Sequence, residues 1–218
     1  MRYTWDMMLP APPTRSTDWM QARAALVPLT VDQYHEMMRQ GIIPESSQTE
    51  VIDGFLVLKD RSKRGEDPMT ISSEHRWAVQ KLQRLDIRGQ GWNIHVATQQ
   101  PVNLSPIHEP EPDASIVNGL LDEFRSRTPS AADVLCACEV ADSSLAYDRT
   151  TKQRLYATAG IPRYLIVNRV DRALELYEEP DVSTGRYARK QVVVPGQACD
   201  IELAHGHVLN VAADDLLP

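Results

Sequence analysis

The sequence predicts one mixed domain of the α/β or α+β class, with helices flanking a single mixed β-sheet. Three observations carry this. Residues 133–140, DVLCACEV, form a nearly continuous apolar run, as a central strand buried on both faces requires. A helical pattern follows it and leads into Tyr164-Leu165-Ile166-Val167, a strand–helix–strand crossover whose two strands should be parallel. Beyond that, ALELYEE, RYARKQVVV, CDIELA and HVLNV are four short strand candidates separated by turns at Ser183-Thr184-Gly185, Pro195-Gly196 and His205-Gly206. At 218 residues the chain suits one large domain rather than two independent cores, and its 42% hydrophobic content supplies a real core.

From the N-terminus, residues 1–28 are broken by prolines yet carry Trp5, Trp19, Met7, Met8 and Met20. That is more apolar anchoring than a free tail usually has, so an arm lying on the core or on a partner subunit is expected, with the domain spanning 29–218. Thr30 can cap a short helix over Val31–Met38 that stops near Gly41 and Pro44. Residues 51–58, VIDGFLVL, are two short apolar runs about an Asp-Gly turn, a strong hairpin signal. Ser72 or Ser73 can cap a helix to about Ile87, because Trp77, Val79, Leu82, Leu85 and Ile87 make a helical stripe. The period then changes to two, predicting strands at Trp92–Val96, Gln100–Leu104 and Pro112–Val117. After Asp142-Ser143-Ser144, a helix is predicted over Tyr147–Thr158, closed by Gly160 and Pro162.

Acidic residues outnumber basic ones 30 to 23, a net charge of -7, which excludes an all-over basic nucleic-acid coat but not a local basic face. Candidates for such a face are Lys59, Arg61, Lys63 and Arg64, a loop expected to be mobile and to face substrate; Arg76, Lys81, Arg84 and Arg88 on the second helix; and Arg125 with Arg127. The cysteines Cys136, Cys138 and Cys199 are too few and too close for a disulfide framework and fit small core thiols in a reducing cytosol. The N-terminus lacks the apolar core of a signal peptide, and no apolar run approaches the roughly 18 residues of a membrane helix, so a cytoplasmic protein without membrane attachment is expected.

Carboxylates stand where strands should be apolar. Asp113 opens a strand, Glu139 ends the most hydrophobic one, and Glu50 begins the strand leading into the Asp-Gly turn. Buried carboxylates require pairing, hydrogen bonds or a metal, and converging hard oxygen ligands suit Mg²⁺ or Mn²⁺. Each also has a plainer reading: Asp113 as a turn residue after proline, Glu139 as a cap for the next helix, Glu50 as a surface residue of the hairpin. On a strand of period two, residue 141 points where Glu139 points. A lysine there would complete the Glu-x-Lys arrangement of metal-dependent nucleases, but the residue is Ala141. Lys152 in the following helix can send its side chain back over the strand's end. Its alternative is an exposed ion pair with Asp148, four residues earlier. His205 and His207 fit a turn better than a metal site, and Asp214-Asp215 fits a solvated helix start.

The ordered set Glu50, Ile52-Asp53-Gly54, His75, Pro112-Asp113, Glu139-Val140 and Asp148-x3-Lys152-x3-Tyr156-Ala157-x2-Gly160-Ile161-Pro162-x-Tyr164 resembles the Uma family of restriction endonucleases in the PD-(D/E)xK nuclease superfamily. The likeness runs over about 29–217. It departs from the family's pattern at Val-Ala-Asp-Ser-Ser after Glu139 and at Phe55 after the glycine. The resemblance implies a restriction-endonuclease-like mixed sheet flanked by helices, with extra antiparallel strands. It implies Asp113 and Glu139 as ligands of Mg²⁺ or Mn²⁺, the backbone carbonyl of Val140 completing the inner shell, and Glu50 as a further ligand, direct or through water. Lys152 would be the displaced catalytic lysine, and His75 would match a recurrent histidine facing the site. The expected activity is metal-dependent hydrolysis of DNA phosphodiester bonds by a homodimer. RNA or branched DNA as substrate, and a catalytically silent nuclease-fold dimer serving as a scaffold or interaction protein, are the alternatives.

Overall fold

The computed structural model describes residues 27–44, 47, 49–58 and 72–217. The N-terminal arm, apart from Val27 and Pro28, and the basic loop carrying Lys59, Arg61, Lys63 and Arg64 lie outside the described residues. Among the described residues no helix is long and apolar enough to cross a membrane.

Thr30 caps α1 (Val31–Arg39): its hydroxyl accepts from the Gln33 amide while the Gln33 side chain accepts from the Thr30 amide. A two-stranded hairpin follows, β1 (Thr49–Ile52) and β2 (Phe55–Leu58). Its turn residues Asp53 and Gly54 both have positive φ, 54° and 73°, as a primed turn demands. A side chain at Gly54 would also meet Pro28, whose Cβ lies 2.3 Å from where a Cβ would stand. Ser72 caps α2 (Ser73–Gln83), and a short continuation forms α3 (Leu85–Arg88).

The main sheet has six strands in the order β3-β4-β5-β6-β7-β8: Ile94–Thr98, Ala114–Asn118, Val134–Ala141, Arg163–Asn168, Ala173–Asp181 and Arg186–Val193. Only β5 and β6 are parallel. Their crossover helix, α4, spans 145–158. A second hairpin, β9 (Ala198–Glu202) and β10 (Val208–Ala212), and a short α5 (Ala213–Leu216) complete the fold.

The period-two pattern of β5 divides the core between the sheet's two faces. Cys136, Cys138 and Val140 pack under α2 and the β9–β10 hairpin with Leu82, Leu165, Ile201 and Leu209. Ala137 and Ala141 pack under α4 with Tyr156, Ile161, Tyr164 and Ile166. The three cysteines are free and buried. His207 stacks on Trp92 at 4.7 Å between ring centroids, so this turn is a packing element.

Two expectations are corrected. Residues 100–104 are not a strand. Pro101 has no amide to donate, and the next three amides bond three separate loop carbonyls, Val102 to Pro110, Asn103 to Pro129 and Leu104 to His108. The helix expected at Tyr147–Thr158 begins earlier and is not uniform. It runs Leu145–Tyr147, widens into a π-turn over Asp148–Lys152 and resumes as Gln153–Thr158.

The π-turn is clamped to the sheet through Glu175 of β7, which is 1% exposed. Its carboxylate accepts from Arg149 of the π-turn, from Asn168 of β6 at 2.8 Å, from Tyr177 at 2.7 Å and from Lys190 of β8 at 2.8 Å. Burial works against its charge, but these donors outweigh burial and hold it down at about 2, against the usual 4.5. The network's stabilisation is therefore complete above the usual carboxylate value and is lost as pH falls toward 2. The thermal midpoint of the wild type should exceed that of Glu175→Gln near pH 6, and the gap should close as pH falls from about 4.5 toward 2.5. A gap independent of pH would rule out this network as the source.

Candidate active site

The C-terminal end of β5 collects charge from four chain segments. Pairing of Ala114 with Cys138 sets Asp113 beside Glu139. The two are interlocked through backbone: the Asp113 amide donates to Glu139 Oε2 at 3.3 Å, and the Val140 amide donates to Asp113 Oδ2 at 2.8 Å. Glu50 arrives on β1, which is fastened by a bridge between Val51 and Glu109, and its Oε1 accepts from the Glu111 amide at 2.8 Å. Lys152 comes from the last position of the π-turn. Its Nζ lies 2.8 Å from Glu50 Oε1 and 3.2 Å from Glu139 Oε1. One helical turn on, the Tyr156 hydroxyl donates to Glu139 Oε1 at 2.8 Å. His75, in the first turn of α2, sets Nε2 3.2 Å from Asp113 Oδ1.

All the charged groups at the centre are buried: Glu50, Asp113, Glu139, Asp148 and Lys152 are 2 to 7% exposed. Burial pushes the Glu139 carboxyl up, and Asp113 and Glu50 push it further, against the opposing pull of Lys152 and Tyr156. Burial, reinforced by Glu139, also pushes Asp148 up to about 8, although Ser144 donates to it at 2.7 Å and Lys152 is near. Lys152 loses hydration as well, but Glu139 and Glu50 more than compensate and hold it above its ordinary range, so it stays an ammonium. Glu50, Asp113 and Glu139 thus outnumber the one lysine, while Asp148 keeps its proton up to about 8. That surplus of hard oxygen is what a small divalent cation would neutralise. Among the described residues no three His, Cys, Asp or Glu side chains yet gather about one point. The Lys152 ammonium stands between Glu50 and Glu139, and Asp113 is turned to the Val140 amide. Donor chemistry and charge fit Mg²⁺ or Mn²⁺.

The structure brings Glu50, His75, Asp113, Glu139, Val140 and Lys152 together, with Val140 present through its amide. Lys152 is not half of an exposed pair with Asp148, since both are buried and Lys152 turns to Glu50 and Glu139. Three further residues stand at the site without a role assigned from the sequence: Tyr156 and Asp148, which appeared there as parts of the motif, and Tyr147. Tyr156 was detectable, because it lies four residues after Lys152 and so on the same helical face. Asp148 shares the face of Lys152 by ordinary four-residue spacing, whereas Tyr147, five residues before Lys152, comes into line with it through the π-turn, which carries no sequence signal. Of the expected cations, Arg127 pairs with Asp133, Arg88 pairs with Asp215, and Lys81 sits over the Trp77 ring.

A family model, Uma2, described as "Putative restriction endonuclease", matches residues 31–212. Among solved structures, a chain from Anabaena variabilis ATCC 29413, described as a "putative nuclease belonging to DUF820", is similar at 14% sequence identity and a TM-score of 0.59. The match covers 87% of this chain and 97% of that one. At this identity the likeness shows a shared fold. No curated protein matches the chain.

Folded Asp148 keeps its proton up to about 8, whereas an unfolded aspartate releases it near 3.8. The native state therefore binds the extra proton between these values and loses stability as pH rises through that window. In metal-free protein the thermal midpoint should fall between about pH 5 and pH 8. Asp148→Asn, which keeps an acceptor for Ser144, should flatten that slope. An unchanged slope in the variant would acquit Asp148.

Proposed function

The chain belongs to the Uma2 family of restriction-endonuclease-like proteins, and from that premise we propose that it is a metal-dependent endonuclease hydrolysing DNA phosphodiester bonds. The observation that carries this reading is the buried Lys152 ammonium held between Glu50 and Glu139 beside Asp113. A folding role alone gives little reason for that set, because burying several carboxylates about one lysine opposes stability.

In this reading Asp113 and Glu139 hold Mg²⁺ or Mn²⁺, with the Val140 carbonyl and, directly or through water, Glu50. The bound ion supplies charge neutralisation at the phosphoryl group and acidifies water. The rest falls to the protein. Lys152, kept protonated by its carboxylates, acts as a donor rather than a base: it orients the attacking water or stabilises charge gathering at the phosphorane. Tyr156 fixes the Glu139 carboxylate, and His75 fixes Asp113. The reading takes DNA as the partner, held by localised cations rather than by an overall basic surface, so contact should be sensitive to salt. It takes a homodimer as the form that presents two sites to two strands, and the cytoplasm as the compartment.

Supercoiled plasmid, single-stranded DNA and RNA should be incubated with Mg²⁺ or Mn²⁺ beside an Asp113→Ala control. Plasmid cleavage by the wild type and its loss in the control are expected. Cleavage that persists in the control would remove Asp113 from the site, and none on any substrate would favour the scaffold alternative. Binding also has a signature without turnover. Millimolar Mn²⁺ should raise the wild-type midpoint by about 3–6 °C and leave Asp113→Ala nearly unmoved. Equal shifts in both proteins would place the ion elsewhere.

A further inference from the structure

The π-turn delivers to the site a group that makes no bond there. The Tyr147 hydroxyl is shielded from solvent and has no hydrogen-bond partner among the described residues. Such a group costs about 1–3 kcal/mol relative to a satisfied one, and in a native fold it calls for an explanation. Of the buried, partnerless side-chain atoms, it is the one on α4.

Its surroundings are those of the centre. After burial, Lys152 exerts the largest influence on the phenol, followed by Glu50, Glu139 and Asp148, and the balance holds the hydroxyl up at about 12, where it remains an O–H donor. Several of the centre's acceptors are already engaged. Glu50 Oε1 takes Lys152 and the Glu111 amide, Glu139 Oε1 takes Lys152 and Tyr156, and Glu139 Oε2 takes the Asp113 amide. Asp148 Oδ2 takes Ser144.

The position is built rather than incidental. In a regular α-helix, residues five apart point to different sides. The π-turn Asp148–Lys152 adds a residue to the turn and brings Tyr147 into line with Lys152, as ordinary spacing brings Tyr156. Lys152 donates one N–H to Glu50 and is ion-paired with Glu139 Oε1 at 3.2 Å, which leaves donor capacity on its ammonium. The Lys152 ammonium and the unpartnered Tyr147 O–H are both donors on the face of α4 that carries the centre, and two such donors suit an anionic phosphoryl oxygen.

We propose that Tyr147 is a catalytic residue that donates a hydrogen bond, through its phenol, to a non-bridging oxygen of the scissile phosphate beside Lys152. No proton is transferred, and the bond is completed only with substrate in place. The inference rests on the phosphodiesterase reading above and deepens it.

The test compares wild type with Tyr147→Phe in plasmid cleavage with Mn²⁺ and in thermal unfolding without metal. The variant's kcat should fall by on the order of 10²-fold, with KM within about twofold. Its thermal midpoint should equal or exceed that of the wild type, because an unsatisfied hydroxyl has been removed. Sulfur in place of the non-bridging oxygen should slow the wild type and slow the variant much less. An unchanged kcat, a lowered midpoint or an equal sulfur effect in both proteins would each overturn the proposal. Wild type that cleaves nothing would overturn the underlying reading itself, an outcome distinct from an active wild type matched by its variant.

Discussion

The ammonium of Lys152, enclosed with Glu50 on one side and Glu139 on the other, is the constraint on which the arrangement of this protein depends. The three members of this set come from segments far apart in sequence: the first hairpin, the central strand and the crossover helix. A buried charge cannot be left alone, so each segment is fixed by the need of the others for an opposite charge. The β1–β2 hairpin is not part of the six-stranded sheet. Glu50, with the Val51–Glu109 bridge, carries it to the C-terminal end of β5 and makes it a wall of the site.

Backbone supplies the precision that the side chains use. Asp113 follows Pro110-Glu111-Pro112, a stretch with restricted dihedrals, and immediately precedes β4, whose first residue Ala114 pairs with Cys138. That register places the Asp113 carboxylate on the Val140 amide and the Asp113 amide on the Glu139 carboxylate. A one-residue slip would turn Glu139 toward the α2 face of the core and break both bonds. On the far side, Arg149 and Glu175 hold the π-turn against β7, so the lysine's approach is set by a second ionic network outside the site.

Much of this was legible in the sequence where period and chemistry agree. The apolar run of β5 announced a central strand, and Glu139 stood out at its end. Asp-Gly marked the hairpin, and the absent lysine at 141 directed attention to Lys152. Legibility failed where the deciding partners are remote or the backbone is irregular. Residues 100–104 alternate as a strand does, yet their amides go to Pro110, Pro129 and His108, which no local pattern reveals. The widened turn at Asp148–Lys152 is a compromise between helix propensity and the pull of Glu175, Glu50 and Glu139 on neighbouring side chains. The widening hides Tyr147 from a reading of helical spacing, because only an extra residue in the turn brings a side chain five positions away into line with Lys152.

The widening of α4 also bears on how this chain can vary over generations. A helix with one residue too many in a turn needs only a single deletion to relax into regular α-geometry, which releases strain and leaves the sheet intact. Such a deletion between Tyr147 and Lys152 would leave the two four residues apart and still on one helical face, so the halves of α4 on either side keep their register. What it can remove is Arg149, the residue that ties the turn to Glu175, so the centre's groups can persist through such a change while their anchor to β7 does not.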